Sequence, residues 1–422
     1  METLSIDNFL TIKKAKIQLK RVNIFIGPQG QGKSIVSKLI YFFKEIPLNL
    51  IDSALEQDDL RETKRKLTSS FFKIFPKSYW EKTKFSITYE TNHHTIHVKN
   101  LVLASKKNRF DLELSSTIKD GLRLARQQAK KELSQINEKS ISNYNRYKSQ
   151  ENAKKNIAKR IFQTEENPRL EEVMYIPAGR AFFSTLQKNI FLFLSTSNSL
   201  DHFLTEFGSI FERTKAPYTY DKLLSKTPKE VIALSEKLIR GKFHKEKGNE
   251  WIVGSNGKVL LSQASSGQQE ALPLALMLST WPYVRSENVI NTFIIEEPEA
   301  HLFPASQNTV ISLISRAYNQ GKGDSSYIIT THSPYIISVI NTMIQAGNAM
   351  INNYEKRDKI SEIMPPEEHL IFSEVSAYVI NNGKIEDILD YENNLINASP
   401  IDEISSHISA TYDALLEIEF EE

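Results

Sequence analysis

The chain has 422 residues, more than one ordinary core organises, so a principal domain with large insertions or a second lobe is expected. Cysteine is absent, which excludes disulfides, iron–sulfur clusters and thiolate zinc sites and fits a reducing compartment. The net charge of +2 hides an asymmetry: residues 118–160 hold twelve Lys/Arg against four Asp/Glu, and residues 361–422 hold fifteen acids against one Lys.

From the N-terminus, residues 4–9, 15–19 and 22–26 alternate or run apolar over strand lengths. The third run enters Gly27-Pro28-Gln29-Gly30-Gln31-Gly32-Lys33-Ser34, a complete GxxxxGK[ST] loop between a strand and a helix. Glycines let the backbone curl its N–H groups toward nucleotide phosphates. Lys33 is then a point charge for the β- and γ-phosphates, and the Ser34 hydroxyl is a Mg²⁺ ligand. Gly27, Gln29, Gly30, Gln31, Gly32, Lys33 and Ser34 are therefore the candidate nucleotide-binding residues. The helix from Ile35 adds its dipole to the anion site.

Residues 35–74 read as mostly helical, 85–89 and 95–103 as a β-hairpin, and 110–114 as a third strand. Residues 115–165 read as a short helical hairpin projecting from the domain, too short and irregular for a long coiled coil. Residues 173–176 form a strand ending at Pro177-Ala178-Gly179-Arg180, and 183–240 suggest a helical lobe. Residues 250–262, turning at Ser255-Asn256-Gly257, read as another hairpin. From Ser265 onward helices alternate with buried strands at 292–295 and 327–330, the pattern of a parallel sheet covered by helices.

The run Phe293-Ile294-Ile295 ends in Glu296 and Glu297. A buried strand of this kind delivers one carboxylate, Glu296, to the Mg²⁺ shell, and the next, Glu297, to the attacking water. Thr330-Thr331-His332-Ser333-Pro334 ends the second buried strand, placing His332 where a γ-phosphate or lytic water is contacted. Between loop and carboxylates, Ser265, Ser266, Gly267 and Gln268 open a helix and form another anion-binding N-terminus.

In this order the elements resemble the ABC-type ATPases, in particular the SMC/RecF/OLD branch of P-loop proteins. Ser265-Ser266-Gly267-Gln268 is similar to the family's signature motif, residues 293–297 to its Walker B strand with catalytic glutamate, and His332 to its switch histidine. Residues 295–304 and 331–334 are similar to the OLD-type branch. The resemblance implies an α/β P-loop fold with a mostly parallel sheet, an antiparallel β subdomain, a helical lobe and a short helical-hairpin insertion. It also implies ATP and Mg²⁺ as cofactors, and a head-to-tail homodimer or higher homo-oligomer in which one subunit's signature motif completes the other's phosphate loop. Walker B ends in Glu296 where most ABC proteins have Asp. The Q-loop glutamine has no clear counterpart, Arg180 being the candidate substitute, and the D-loop aspartate position is Phe303.

The expected organisation is an ATPase-head segment at 1–114, a basic hairpin at 115–165, a strand and helical lobe at 166–248, the second head segment at 249–345 and an acidic cap at 346–422. His93, His94 and His97 read as a solvated strand rather than a zinc site. The cluster Glu297, Glu299 and His301 reads as part of the nucleotide site rather than a metal hydrolase. The basic hairpin leaves two readings open: a solvated helical surface, or a nucleic-acid or partner contact.

OLD-family nucleases carry a TOPRIM domain marked by Asp-x-Asp. The 90 residues after His332 contain none. The chain thus resembles stand-alone ATPases paired with a separately encoded effector in phage-defence systems of the PARIS and Septu types, which implies an ATP-switched sensor or scaffold. The competing expectation is a RecF-like DNA-repair ATPase contacting DNA through Lys130, Lys131, Lys154 and Lys155. No run reaches the roughly 18 apolar residues of a membrane span, residues 190–194 being far too short. With no signal-peptide pattern at the N-terminus, a cytoplasmic location is expected.

Overall fold

The computed structural model describes residues 2–102, 108–137, 143–164, 170–186, 201–220, 224–255, 257–284, 289–321 and 325–420. Leu103, the segment 190–194 and the turn residue Asn256, all read from sequence, lie outside these.

The strands are β1 (Glu2–Phe9), β2 (Ile12–Leu19), β3 (Val22–Ile26), β4 (Phe85–Glu90), β5 (Thr95–Val102), β6 (Asn108–Leu114), β7 (Leu170–Ile176), β8 (Lys242–Glu246), β9 (Asn249–Gly254), β10 (Gly257–Leu260), β11 (Val289–Glu296), β12 (Ser326–Thr331), β13 (Val375–Asn381), β14 (Lys384–Asp387), β15 (Leu389–Asp390) and β16 (Leu395–Ile396). The principal helices are α1 (Lys33–Leu55), α2 (Leu60–Ile74), α3 (Ser116–Asn137), α4 (Asn143–Phe162), α5 (Ala181–Leu186), α6 (His202–Tyr220), α7 (Lys229–Ile239), α8 (Ser266–Leu278), α9 (Pro304–Gln320), α10 (Pro334–Asn352) and α11 (Ser399–Phe420).

Eleven strands form one mixed sheet in the order β6-β5-β4-β1-β2-β14-β13-β3-β12-β11-β7. From β13 to β7 neighbouring strands are parallel. From β6 to β2 they are antiparallel. The fold is thus the α/β P-loop architecture that the motif order implies, with the antiparallel strands continuing the same sheet. Strands β8 to β10 form a separate antiparallel sheet.

Strands β3 and β12 are buried along their whole length. That burial on both faces explains their continuous apolar runs. Alternate side chains feed two cores. Phe25, Ile294 and Ile328 join the core with α1 to α4. Ile24, Ile26, Phe293 and Ile295 join the opposite core with α6 to α10.

Two segments lie differently from the sequence expectation. The basic hairpin lies against α1 instead of projecting: Ile118, Leu122, Ala125, Ile157 and Ile161 are buried in the α1 core. Its helices approach so closely that a Cβ on Gly121 would sit 2.1 Å from the Ile161 carbonyl oxygen. The segment 346–422, expected as an acidic cap, sends β13 into the sheet beside β3. The reason is compositional: residues 375–378 are fully buried, and a strand buried on both faces belongs inside a sheet.

Candidate nucleotide site

Register places the functional segments on one edge of the sheet. Ile26 of β3 is opposite Thr331 of β12, Thr330 is opposite Glu296 of β11, and Ile295 is opposite Ile176 of β7. The phosphate loop, His332, Glu296-Glu297 and Arg180 therefore all leave the carboxyl ends of adjacent parallel strands, where open α/β sheets bind ligands.

The loop turns on its glycines. Gly32 caps α1 at φ 107° without a side-chain hydrogen bond; the Ile35 N–H turns back to the Gly32 carbonyl at 3.0 Å, and the Lys33 and Ser34 N–H groups before it are the ones available to an anion. Gly27 passes so near β13 that a Cβ there would lie 2.2 Å from the Ile380 carbonyl oxygen. The Gln31 amide oxygen accepts the Asn382 N–H at 2.9 Å, tying the loop to the β13–β14 turn. Lys33 is buried, and its ammonium donates to the carbonyls of Gly27 at 2.7 Å and Pro28 at 2.9 Å. Burial lowers its pKa, and the carboxylates of Glu297, Glu299 and Glu296 pull the other way. Ser34 is exposed.

Glu296 is buried, with its carboxylate 3.3 Å from the Ser37 hydroxyl. Ser37 also pairs with the Tyr175 hydroxyl at 2.9 Å. Ser34 and Ser37 are three residues apart on one face of α1, so Glu296 meets the helix face that carries Ser34. An exposed hydroxyl beside a carboxylate is an all-oxygen donor set suited to Mg²⁺. The residues present fit that ion.

Glu297 follows in the left-handed region at φ 43°, an uncommon conformation for a non-glycine residue. Its N–H extends the ladder to the Thr330 carbonyl at 2.8 Å. Its carboxylate lies 3.6 Å from His332 Nδ1. Glu299, buried, accepts the Thr331 hydroxyl at 2.6 Å and the His332 N–H at 2.9 Å, and lies 3.5 Å from His332 Nδ1. The other Glu299 oxygen has no hydrogen-bond partner among the described residues. The His332 ring is thus held between two carboxylates, with its outer side exposed.

Arg180 is fully buried. Its guanidinium donates to the carbonyls of Pro177 at 3.0 Å, Glu296 at 2.8 Å, Glu297 at 3.1 Å and Glu270 at 3.2 Å. The Glu270 carboxylate accepts the N–H groups of Arg180 and Ala181. One side chain therefore fastens the ends of β7 and β11 to α8. Sequence reasoning singled out Arg180 without its partners, and missed Ser37, Tyr175 and Glu270.

The Ser265–Gln268 segment opens α8 with a capping box: Ser265 and Gln268 satisfy each other's backbone N–H groups. Ser265 and Ser266 are exposed. A Cβ on Gly267 would come within 2.9 Å of the His301 carbonyl oxygen. Phe303, at the position aligned with the D-loop aspartate, is 72% exposed. The imidazole of His94 lies tilted against Phe162, 5.0 Å between centroids, and burial pushes its pKa down to about 4. His97 bonds the Ser86 hydroxyl. No group of three or more metal-ligating side chains occurs among the described residues, and no helix among them is long and apolar enough to cross a membrane.

A family model described as an AAA ATPase domain matches residues 1–337. No curated protein matches. Among solved structures, an SMC head bound to the C-winged helix domain of ScpA is 10% identical, covering 93% of this chain and 99% of that one with TM-score 0.42. The SMC head domain from Thermotoga maritima is 11% identical over 92% and 97% of the two chains, TM-score 0.34. The ADP conformation of an ATP-binding cassette of an ABC transporter is 11% identical over 93% of each chain, TM-score 0.31.

Proposed function

The chain belongs to the AAA ATPase domain family, and from that premise we propose that it is a Mg²⁺-dependent ATP switch whose state is read by a second protein. The observation that carries this reading is the convergence of Lys33, Ser34, Glu296, Glu297 and His332 on the carboxyl edge of β3, β12 and β11.

The loop amides and Lys33 bind the phosphates. To do so the Lys33 ammonium exchanges the Gly27 and Pro28 carbonyls for phosphate oxygens. Ser34 and Glu296 would hold Mg²⁺, which would supply charge neutralisation at the phosphates. Glu297 orients the attacking water and accepts its proton, and its backbone is fixed for this by Arg180. His332, steered by Glu299, contacts the γ-phosphate side of the site.

Ser265 to Gln268 act in trans. Their exposed helix N-terminus suits the γ-phosphate of a nucleotide held by a second copy, so two ATPs close a head-to-tail dimer. The output is control of a separately encoded effector, a nuclease or toxin, in antiviral defence. A second reading is a RecF-like DNA-binding ATPase, favoured by the cations of 115–165. Two of its four expected lysines are ion-paired, Lys154 with Asp52 and Lys155 with Glu151.

The test is Glu297→Gln. Native mass measurement with ATP should find nucleotide retained and the dimer trapped, with hydrolysis reduced ~10²-fold or more, the scale of losing a positioned general base. Equal hydrolysis by variant and wild type removes Glu297 from this role. A neighbouring gene encoding no effector, with steeply salt-dependent DNA binding, would favour the second reading.

A further inference from the structure

The basic hairpin and the acidic C-terminal helix each leave a surface uncovered, and the two surfaces are complementary. A cavity of about 560 Å³ opens between α3 and α4, lined by Leu124, Lys131, Asn156, Lys159 and Arg160 among others. Lys131, Lys159 and Arg160 form no ion pair with any described residue, unlike Lys154 and Lys155 nearby. Glu132, next to the lining residue Lys131, accepts from Gln128 at 2.7 Å and Asn156 at 2.8 Å. Leu124 gives the rim an exposed apolar contact.

Helix α11 carries the opposite character. Residues 399–422 contain seven acids and no Lys or Arg. Tyr412, Leu415 and Phe420 are 62%, 61% and 75% exposed. Leu415, Leu416 and Phe420 fall three, four and eight residues from Tyr412, one apolar stripe on a helix. Asp413 and Glu417, four apart, line its edge. Stripes of this kind are covered in stable assemblies.

The segments from which the two surfaces rise are anchored on opposite faces of the sheet. Ile396, three residues before α11, is buried in the core with α8 to α10. Ile118 and Ile157 of the hairpin are buried in the core with α1 and α2. We infer that α11 of one copy docks its Tyr412–Leu416–Phe420 stripe over the α3–α4 groove of a second copy, with Asp413 and Glu417 answering Lys131, Lys159 and Arg160. Every copy then carries one helix to give and one groove to fill, a heterologous contact that closes as a reciprocal dimer or a ring. A duplex nucleic acid fits the groove less well, because two neighbouring lysines are already neutralised and an apolar rim offers nothing to phosphates.

The contact is independent of the nucleotide sites, so the test is sedimentation of the full chain without nucleotide. Wild type should self-associate, more weakly as salt rises. Asp413→Lys with Glu417→Lys, or Lys159→Glu with Arg160→Glu, should each weaken association at least tenfold. Combining all four should restore it, which shows that the single sets were folded. A wild type that stays monomeric at all concentrations overturns the proposal, as does a combined variant that stays dissociated while the reversed pairs melt normally. If the groove pair leaves the mass unchanged and abolishes binding of a duplex oligonucleotide, the hairpin is a nucleic-acid surface and the proposal falls.

Discussion

The guanidinium of Arg180 donates to the main-chain carbonyl of Glu297 at 3.1 Å, across 117 residues of chain. The same group holds the Glu296 carbonyl at 2.8 Å. The left-handed turn at Glu297 is therefore held by a fully buried arginine whose guanidinium bonds main-chain carbonyls on both sides of it. Lysine keeps the charge but not the planar fork. Arg180→Lys should retain nucleotide binding and lose at least tenfold in hydrolysis. Arg180→Ala should also lose about 3–5 kcal/mol of stability, because the buried Glu270 carboxylate loses its counter-charge and keeps only the main-chain N–H groups of residues 180 and 181. Denaturant melts and single-turnover hydrolysis separate the two effects, and an Arg180→Lys variant with wild-type turnover would remove the clamp from catalysis.

Gly27 and Gly30 differ in what surrounds them. A Cβ at Gly27 meets the backbone of β13 at 2.2 Å, whereas a Cβ at Gly30 meets nothing within 4 Å. Gly30 nevertheless sits at φ 76°, where alanine costs about 1–2 kcal/mol. Gly30→Ala should fall in that range. Gly27→Ala should fall beyond it, because it levers the loop off the sheet. Urea melts of the two variants give the comparison, and equal losses would show that the approach to Ile380 relaxes freely.

The segments that meet at the carboxyl ends of the sheet were legible because each is contiguous in sequence: residues 27–34, Glu296-Glu297 and Thr331-His332. What the sequence hid are partnerships across long separations. Glu270 meets Arg180 at a spacing of 90 residues, and Ser37 meets Glu296 at 259. No local pattern encodes these pairs. The placement of β13 was hidden for another reason. Its residues read as a strand, but only tertiary packing decides whether a strand lies inside a sheet or caps it. The run Val375-Ser376-Ala377-Tyr378, apolar or small throughout, was the available signal for a strand buried on both faces.

Glu45 on α1 provides a pH dependence. Burial pushes its carboxyl up to about 7 from an ordinary 4.5, reinforced by Glu206, Asp52 and Glu171. The folded state therefore holds this proton more tightly than the unfolded state. Stability from this group is fully present below pH 4.5 and is lost as pH rises through 7. Glu45→Gln should flatten the decline of melting temperature over that window and be more stable than wild type at pH 8. A parallel decline in variant and wild type would place the titration elsewhere.

The position of β13 sets where the chain tolerates shortening. In the sheet order, β14 and β13 join β2 on one side to β3 on the other. A chain ending at residue 374 lacks both, so the sheet divides into an antiparallel half and a parallel half, each with a bare edge. The edge of β3 would then be an apolar strand open to pairing with other molecules. A chain ending at residue 398 keeps both strands and the pair of hydrogen bonds, 2.8 Å each, between Asn341 and Ile396. The longer form should melt cooperatively near the wild-type temperature, bind ATP, and sediment as one copy without nucleotide. The shorter form should aggregate and bind no ATP. If the chain ending at residue 374 melts like wild type, β13 is an accessory to the sheet and the cap expected from sequence is restored.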